Sequence, residues 1–208
     1  MDLIRISLDK NFNILWTLSP WLVVVGLIAL FIYLRINRNA CFKDFEIDEA
    51  ELGIGNAKVT VKPNREDLQI AYKLWVEANT RKVGLPLDPE HDVIVEIYDS
   101  WFEFFKITRE LIKEIPASKV KGQESTRKLV TIAVEVLNVG IRPHLTQWQA
   151  KFRRWYELES KNSENSKLSP QEIQRKFPYY KVLIEDLNKV NKRLINYQHT
   201  LSEIVMCK

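Results

Sequence analysis

Residues 16–34 read WTLSPWLVVVGLIALFIYL, a run of nineteen residues without a charged side chain. At about 1.5 Å of rise per residue, a helix of this length roughly matches the ~30 Å hydrocarbon core of a bilayer. Trp16 and Trp21 lie near one end of the run and Tyr33 lies near the other, where amphipathic rings favour the lipid headgroups. This stretch therefore predicts a transmembrane helix over residues 16–35.

The residues on either side of the apolar run indicate its orientation. Arg35, Arg38 and Lys43 follow it, and such a basic flank differs from the small-residue site at which a signal peptide is cleaved. Basic residues favour the cytoplasmic side of a membrane, so we expect a single-pass protein whose large domain is cytoplasmic. Residues 1–15 mix apolar and polar side chains and are compatible with a short helix in the membrane interface.

The composition limits the class of protein. Of the 208 residues, 46% are apolar and 28% are charged, which fits one globular domain with an appended segment. The 6 glycines and 8 prolines are few, which favours long helices over a turn-rich β fold. The 2 cysteines are too few for a disulfide framework, and we expect reduced thiols. The net charge of +4 is too small to predict binding of duplex nucleic acid.

Residues 42–64 are the one strand-like region. Apolar residues alternate there with polar ones, which is the period of two expected of half-buried strands. The alternating apolar residues are Phe45, Ile47, Ala57, Val59 and Val61. Residues 53–56 read GIGN and suit a hairpin connection, because glycine and asparagine accept a positive φ. Two strands alone are marginally stable, so this hairpin must pack on helices or pair with another chain.

Residues 65–208 show the three- and four-residue spacing of amphipathic helices. Asn64 is a favourable N-cap for a helix that would end at Gly84, and Asp88 would cap a second helix that continues to Pro116. Further helices are expected over about 124–139, after a break or kink at 140–143, after the capping box that opens at 169, and beyond 178. The predicted fold is mainly α: a transmembrane helix, a short β-hairpin and an antiparallel helical bundle.

Familiar catalytic patterns are missing from the sequence. The histidines, His91, His144 and His199, lack the four-residue spacing of a helical zinc site, and no P-loop or nucleophile elbow occurs. We therefore expect no enzyme activity, no metal and no cofactor. A series of acidic residues on one side of the second helix leaves a membrane-bound hydrolase as an alternative to a plain solvent-facing surface. Its members are Asp92, Glu96, Asp99, Glu103 and Glu110.

Residues 140–157, GIRPHLTQWQAKFRRWYE, combine basic side chains with large aromatic ones. Guanidinium groups match the oxygens of a phosphate, so this stretch is a candidate binding site for an anionic ligand. The candidate ligand-binding residues are Arg81, Lys82, Arg142, His144, Arg153 and Arg154. The simpler interpretation is an aromatic face packed in the core with a basic, solvated back.

Two short motifs carry a resemblance to known proteins. Residues 80–88, TRKVGLPLD, and residues 142–149, RPHLTQWQ, resemble a group of bacterial single-span membrane proteins of mobile and phage-defence loci. The resemblance covers roughly residues 53–206. It implies a location in the bacterial inner membrane. Such loci include membrane effectors whose cytoplasmic domain senses a cyclic nucleotide and then disturbs the bilayer, and the resemblance implies that this chain would be similar.

Two functional hypotheses follow. The first is a non-enzymatic, membrane-anchored protein whose cytoplasmic helical domain binds a partner or assembles with itself, in phage defence if the resemblance holds. Self-assembly into a homo-oligomer is expected because one isolated helix cannot form a pore. The alternative is a membrane effector gated by an anionic, cyclic nucleotide that binds the basic residues of the helical domain.

Overall fold

The structure is a computed structural model, and it describes residues 4–8, 14–18, 20–39 and 44–206. The chain divides into two compact units, residues 1–42 and 43–208. Both cysteines lie outside the described residues. The chain is mainly helical with short antiparallel strands, as the sequence predicts.

The first unit contains two strands and one helix. Strand β1 (Ile4–Leu8) pairs antiparallel with β2 (Ile14–Leu18), and helix α1 (Pro20–Asn39) follows. Two details of the sequence prediction are corrected here. Residues 4–8 are a strand instead of part of an interfacial helix, and residues 16–18 are paired in β2 instead of opening the helix. Helix α1 begins at Pro20, whose missing N–H costs little in a first turn.

From Pro20 to Tyr33, helix α1 is apolar on all sides. Every side chain from Pro20 to Tyr33 is exposed, except that Leu22 is half-buried. The exposed fractions reach 66% at Trp21 and 62% at Phe31. Within the described part of the chain, the structure contains no helix that combines the length and the apolar character needed to cross a bilayer. The transmembrane helix over residues 16–35 therefore stays a prediction.

The second unit opens with the predicted hairpin. Strand β3 (Phe45–Asp48), the short helix α2 (Glu49–Leu52) and strand β4 (Lys58–Val61) follow in order, and the two strands pair antiparallel. Phe45 lies opposite Val61, and both are buried. The connection holds a helical turn that the sequence analysis did not predict. It is closed by Gly53, whose φ of 68° is accessible to glycine at little cost.

The remainder of the second unit is helical. Its elements are α3 (Arg65–Asn79), α4 (Ile94–Lys113), α5 (Ala117–Gly122), α6 (Glu124–Glu135), a π-helical turn (Val136–Ile141), α7 (Arg142–His144), a second π-helical turn (Leu145–Gln149), α8 (Ala150–Ser160), a 3₁₀ turn (Ser163–Asn165), α9 (Pro170–Arg175) and α10 (Tyr180–Met206). Helix α10 packs against α3, α2 and the first π-helical turn.

Several predicted helix ends are confirmed and others are shifted. Asn64 caps α3 in a full capping box with Asp67. Helix α3 ends at Asn79, five residues before Gly84. Helix α4 begins at Ile94 and not after Asp88, because the Asp88 carboxylate accepts from the backbone N–H of Glu90 and forms a separate turn. The expected kink at 140–143 is a continuous helix with wider π-helical turns, which accommodates the missing N–H of the proline at 143.

The loop between α3 and α4 is hydrogen-bonded to both α4 and α10. Trp101 and Tyr98 of α4 are completely buried. The indole N–H of Trp101 donates to the carbonyl oxygen of Lys82 at 2.9 Å. The side-chain amide of Asn191 on α10 donates to the carbonyls of Val83 and Leu85. These hydrogen bonds connect α4 and α10 through the loop.

Candidate functional site

A buried polar cluster lies where α4, α7 and α10 meet. His144 is 2% exposed, and its Nδ1 lies 2.6 Å from Oδ2 of Asp186. Its Nε2 lies 3.2 Å from the hydroxyl oxygen of Tyr98. The indole N–H of Trp148 donates to the same Asp186 oxygen at 3.2 Å. Four side chains from three helical segments are thus connected through one carboxylate and one imidazole.

Local sequence explains how these groups meet. His144 and Trp148 are four residues apart, so both face α10 from the same side of their helical segment. A π-helical turn lies on each side of His144, and such turns rotate side chains relative to a regular α-helix. Tyr98 belongs to the apolar stripe of α4, and its ring lies edge-on to Phe152.

Burial sets the protonation of the cluster. Burial lowers the pKa of His144, although the neighbouring carboxylate of Asp186 acts in the opposite direction. Burial also raises the pKa of the Tyr98 hydroxyl. The imidazole is therefore neutral near pH 7, donating its Nδ1–H to Asp186 and accepting the Tyr98 O–H at Nε2. Each of these two hydrogen bonds then joins a donor to an acceptor.

The cluster orders the same groups as an acid–base relay, a carboxylate, an imidazole and a hydroxyl. The hydroxyl, however, belongs to a completely buried tyrosine, and the imidazole lies against the rings of Tyr98 and Trp101. Asp186 is the member that reaches solvent, with 38% of its side chain exposed. Because this carboxylate is the part of the cluster that solvent reaches, it would repel a phosphate. We interpret the cluster as a polar lock that holds α4, α7 and α10 together.

Three of the predicted ligand-binding cations are already paired with carboxylates. Arg81 contacts Glu77 within α3 and its C-terminal turn at 2.8 Å. Lys82 lies 2.9 Å from Asp92, and Arg153 lies 2.5 Å from Asp99. These pairs account for two members of the acidic series, Asp92 just before α4 and Asp99 on it. Its members Glu103 and Glu110 contact Lys106 and Lys113, respectively, on the same helix.

The other candidate residues are placed differently. Arg142 donates from Nε to the side-chain oxygen of Asn138 at 3.0 Å, and its guanidinium carbon lies 4.9 Å from the centre of the Phe105 ring. Arg154 is exposed on α8. The predicted set therefore does not converge on one ligand site. Arg142 lies on a different face, beside a cavity that the sequence analysis missed.

A metal site would need acidic or imidazole side chains that lie close together. Among these residues, no group of three histidine, cysteine or acidic side chains has the arrangement needed to hold a metal ion. A polar pocket near the hairpin contains His199 and several carboxylates, and they do not form such a group either.

Comparisons with known proteins match nothing to this chain: no protein family, no characterised protein and no solved structure is significantly similar. The resemblance to phage-defence membrane proteins therefore stays a prediction.

Proposed function

We propose that the chain is a membrane-anchored protein, in which α1 lies in lipid and the helical unit of residues 43–208 binds a partner or a second copy. The observation that carries the proposal is the exposure of apolar side chains from Trp21 to Tyr33 on all sides of α1. The membrane would be that of a bacterial cell, with the helical unit in the cytoplasm, as the basic residues that follow the apolar run predict.

The free energy of hydration favours lipid around this helix. Moving one valine, leucine, isoleucine or phenylalanine side chain out of water contributes roughly 1.5–3 kcal/mol, and α1 presents many of them in succession. A helix that is apolar on all sides is typical of a membrane or of the centre of a large protein. Helix α1 as a whole rises roughly 30 Å. In the sequence, Arg35 and Arg38 follow the apolar stretch, and basic residues at such a boundary are typical of the end of a membrane span.

Membrane fractionation of the full chain tests the anchor. Expressed in a bacterium, the wild type is expected in the membrane pellet after carbonate extraction. The double variant Leu27→Asp/Phe31→Asp is expected in the supernatant, because each acidic residue near the centre of a span costs roughly 2.5–3.5 kcal/mol.

A matched control places the same two charges on the helical unit. Leu158 and Val182 are 64% and 55% exposed, so Leu158→Asp/Val182→Asp should leave the chain in the pellet. Recovery of the wild type in a detergent-free supernatant would refute the anchor. If the wild type were recovered there as an oligomer, a second copy and not lipid would cover α1.

The helical unit offers surface for a partner. Large apolar side chains are exposed on it. A contiguous patch of such side chains is typical of a protein interface. The most exposed in the described part of this unit are Phe102, Leu158, Tyr179 and Val182. The buried, mutually satisfied state of the His144 cluster supports a binding role over a catalytic one. Chemical crosslinking of the full chain in neutral nanodiscs, followed by mass measurement, would show whether two copies meet through this unit.

The nucleotide-gated effector stays a second prediction, with less support from the geometry. Arg81, Lys82 and Arg153 would each have to leave a carboxylate to bind a phosphate. Calorimetry of the full chain in neutral detergent with cyclic oligonucleotides tests this alternative. Absence of heat at micromolar protein would refute it, whereas heat that is lost in Arg153→Gln would favour it.

A further inference from the structure

A cavity of about 300 Å³ opens between α4 and the segment that runs from α6 into the first π-helical turn. Its wall is largely apolar: Phe105 and Ile112 are half-buried on α4, and Leu137 is 3% exposed on the facing segment. Val134 lies at the opening and is 38% exposed. This volume is at the lower end of the range for small-molecule sites.

Positive charge is concentrated at the edge of this cavity. Arg109 and Arg142 both line it, one from each side, together with Lys113. Lys113 is paired with Glu110. Across residues 44–206, the ion pairs include neither Arg109 nor Arg142. The two guanidinium groups therefore keep their charge available for a ligand.

The guanidinium of Arg142 is held in a defined position. Its Nε donates to Asn138, and its guanidinium carbon lies over the ring of Phe105, 4.9 Å from the ring centre. Asn138 belongs to the π-helical turn, a feature that is frequent at functional sites. One N–H of the guanidinium is therefore used for positioning, which leaves its terminal nitrogens to donate to oxygens of an anion.

We propose that this cavity binds an anionic amphiphile: a phosphate or carboxylate head between Arg109 and Arg142, with an apolar body against Ile112, Val134 and Leu137. The chemistry is complementary on both parts of the ligand. Guanidinium groups form charge-assisted hydrogen bonds to phosphate and carboxylate oxygens. An apolar body that displaces water from the wall adds affinity in proportion to the area it covers.

Two sources would supply such a ligand, the anionic lipids of a bilayer and a free amphiphile in solution. Both present the same head and body to the cavity. The proposal does not depend on a membrane anchor, because all of the residues that line the cavity belong to the helical unit.

The test uses the full chain in phosphatidylcholine nanodiscs, with its isoleucine, valine and leucine methyl groups labelled for NMR. Hexyl phosphate is the probe, with hexanol and inorganic phosphate as partial ligands. Hexyl phosphate is expected to shift the methyl signals of Ile112, Val134 and Leu137 in a saturable manner. Its affinity should exceed that of either partial ligand by about tenfold or more, because each lacks one half of the interaction.

Variants separate the site from general charge. Arg109→Gln/Arg142→Gln should weaken the binding of hexyl phosphate by about tenfold or more, whereas Arg127→Gln/Arg175→Gln removes the same charge at two exposed positions outside the cavity and should not. Val134→Glu keeps both arginines and places a carboxylate at the opening. This variant should also weaken the binding of hexyl phosphate. It provides the test if the double arginine variant does not fold.

The outcomes decide between a site and none. Equal affinity for hexanol, an unchanged affinity in the arginine variant, or methyl shifts confined to other parts of the chain would each overturn the proposal. Replacing phosphatidylcholine by phosphatidylglycerol identifies the source. Shifts of the same methyl groups without added ligand would indicate a lipid headgroup, and saturable binding of hexyl phosphate alone would indicate a free amphiphile; either result supports the site.

Discussion

The carboxylate of Asp186 shows how much one residue connects in this protein. It accepts from His144 on α7 and from Trp148 four residues later, while His144 in turn accepts from Tyr98 on α4. Removing Asp186, His144 or Tyr98 leaves a buried polar atom of a neighbour without this partner. Such a loss costs roughly 1–3 kcal/mol, which is a large part of the stability of a small domain.

Protonation of His144 predicts a pH-dependent stability. Burial lowers its folded-state pKa below the ordinary value of 6.5, so the unfolded chain takes up a proton at a higher pH than the folded chain does. The free energy of unfolding should therefore fall as the pH decreases through about 6.5 toward the lower, folded-state pKa. Urea unfolding in neutral detergent at a series of pH values measures this. His144→Gln is expected to show a smaller decrease over the same interval.

The exposed His91 provides the control for this pH experiment. Its hydrogen bond to Asp88 raises its pKa, which is the opposite direction from His144. A raised pKa stabilises the folded chain at low pH, so His91→Gln should keep the decrease in stability or make it steeper. If His144→Gln retained the full decrease of the wild type, the assignment to His144 would be wrong.

Asp67 is a second residue on which the bundle depends. It is completely buried, and its carboxylate accepts from the backbone N–H of Asn64 and from the hydroxyls of Ser125 and Thr126. Asp67→Ala should lower the free energy of unfolding by roughly 3 kcal/mol, because these donors lose a charged acceptor. Gln69→Ala, an exposed change on the same helix, should alter it by less than about 0.5 kcal/mol. Equal effects of the two variants in urea unfolding would contradict this role.

The predicted helix starts that depend on nearby residues are confirmed, whereas the start of a helix that depends on a distant residue was not predicted. Asn64 and Ser169 cap their helices with their own side chains, and both capping boxes are present. Helix α4 has Val93 at its N-cap position, which gives no side-chain bond. Gln174 supplies the missing acceptor to the N–H of Ile94 at 2.9 Å from 80 residues away, and no local pattern indicates such a partner.

The candidate site was predictable to a similar extent. A basic and aromatic stretch at 140–157 is visible in the sequence, and Arg142 does line a charged cavity. Arg109 also lines it, and its spacing of four residues from Phe105 is the one local signal that would have indicated a shared face. The partner of His144 lies 42 residues away on α10. The local sequence therefore could not show that this predicted ligand residue is buried and hydrogen-bonded between helices.

The loop between α3 and α4 predicts a contrast between two glycines. A Cβ at Gly84 would lie 2.7 Å from the carbonyl oxygen of Ala78 and 2.8 Å from a side-chain carbon of Gln198. Gly84→Ala should therefore lower the free energy of unfolding by roughly 1–3 kcal/mol. Gly122→Ala meets no atom within 4 Å and should be neutral or stabilising by up to about 1 kcal/mol. Urea unfolding of both variants checks this, and a stabilised Gly84→Ala would contradict the close approach.

The proposed orientation in the membrane predicts from which side the helical unit is accessible. Ser166 is exposed in the turn that follows α8. With Cys41 and Cys207 replaced by serine, Ser166→Cys should react with a membrane-impermeant maleimide in inverted membrane vesicles and not in intact cells. The expected side follows from the basic flank of α1. Labelling in intact cells would place the helical unit outside the cytoplasm.

The position of α10 in the chain has a consequence for synthesis. Nine of its residues are buried, and it packs on α3, which precedes it by about a hundred residues. At about 5–20 residues per second, a ribosome needs roughly 5–20 s to make that interval. During this time the apolar face of α3 lacks the helix that covers it. A nascent chain stalled in this interval should therefore recruit chaperones, and release should follow once α10 has emerged.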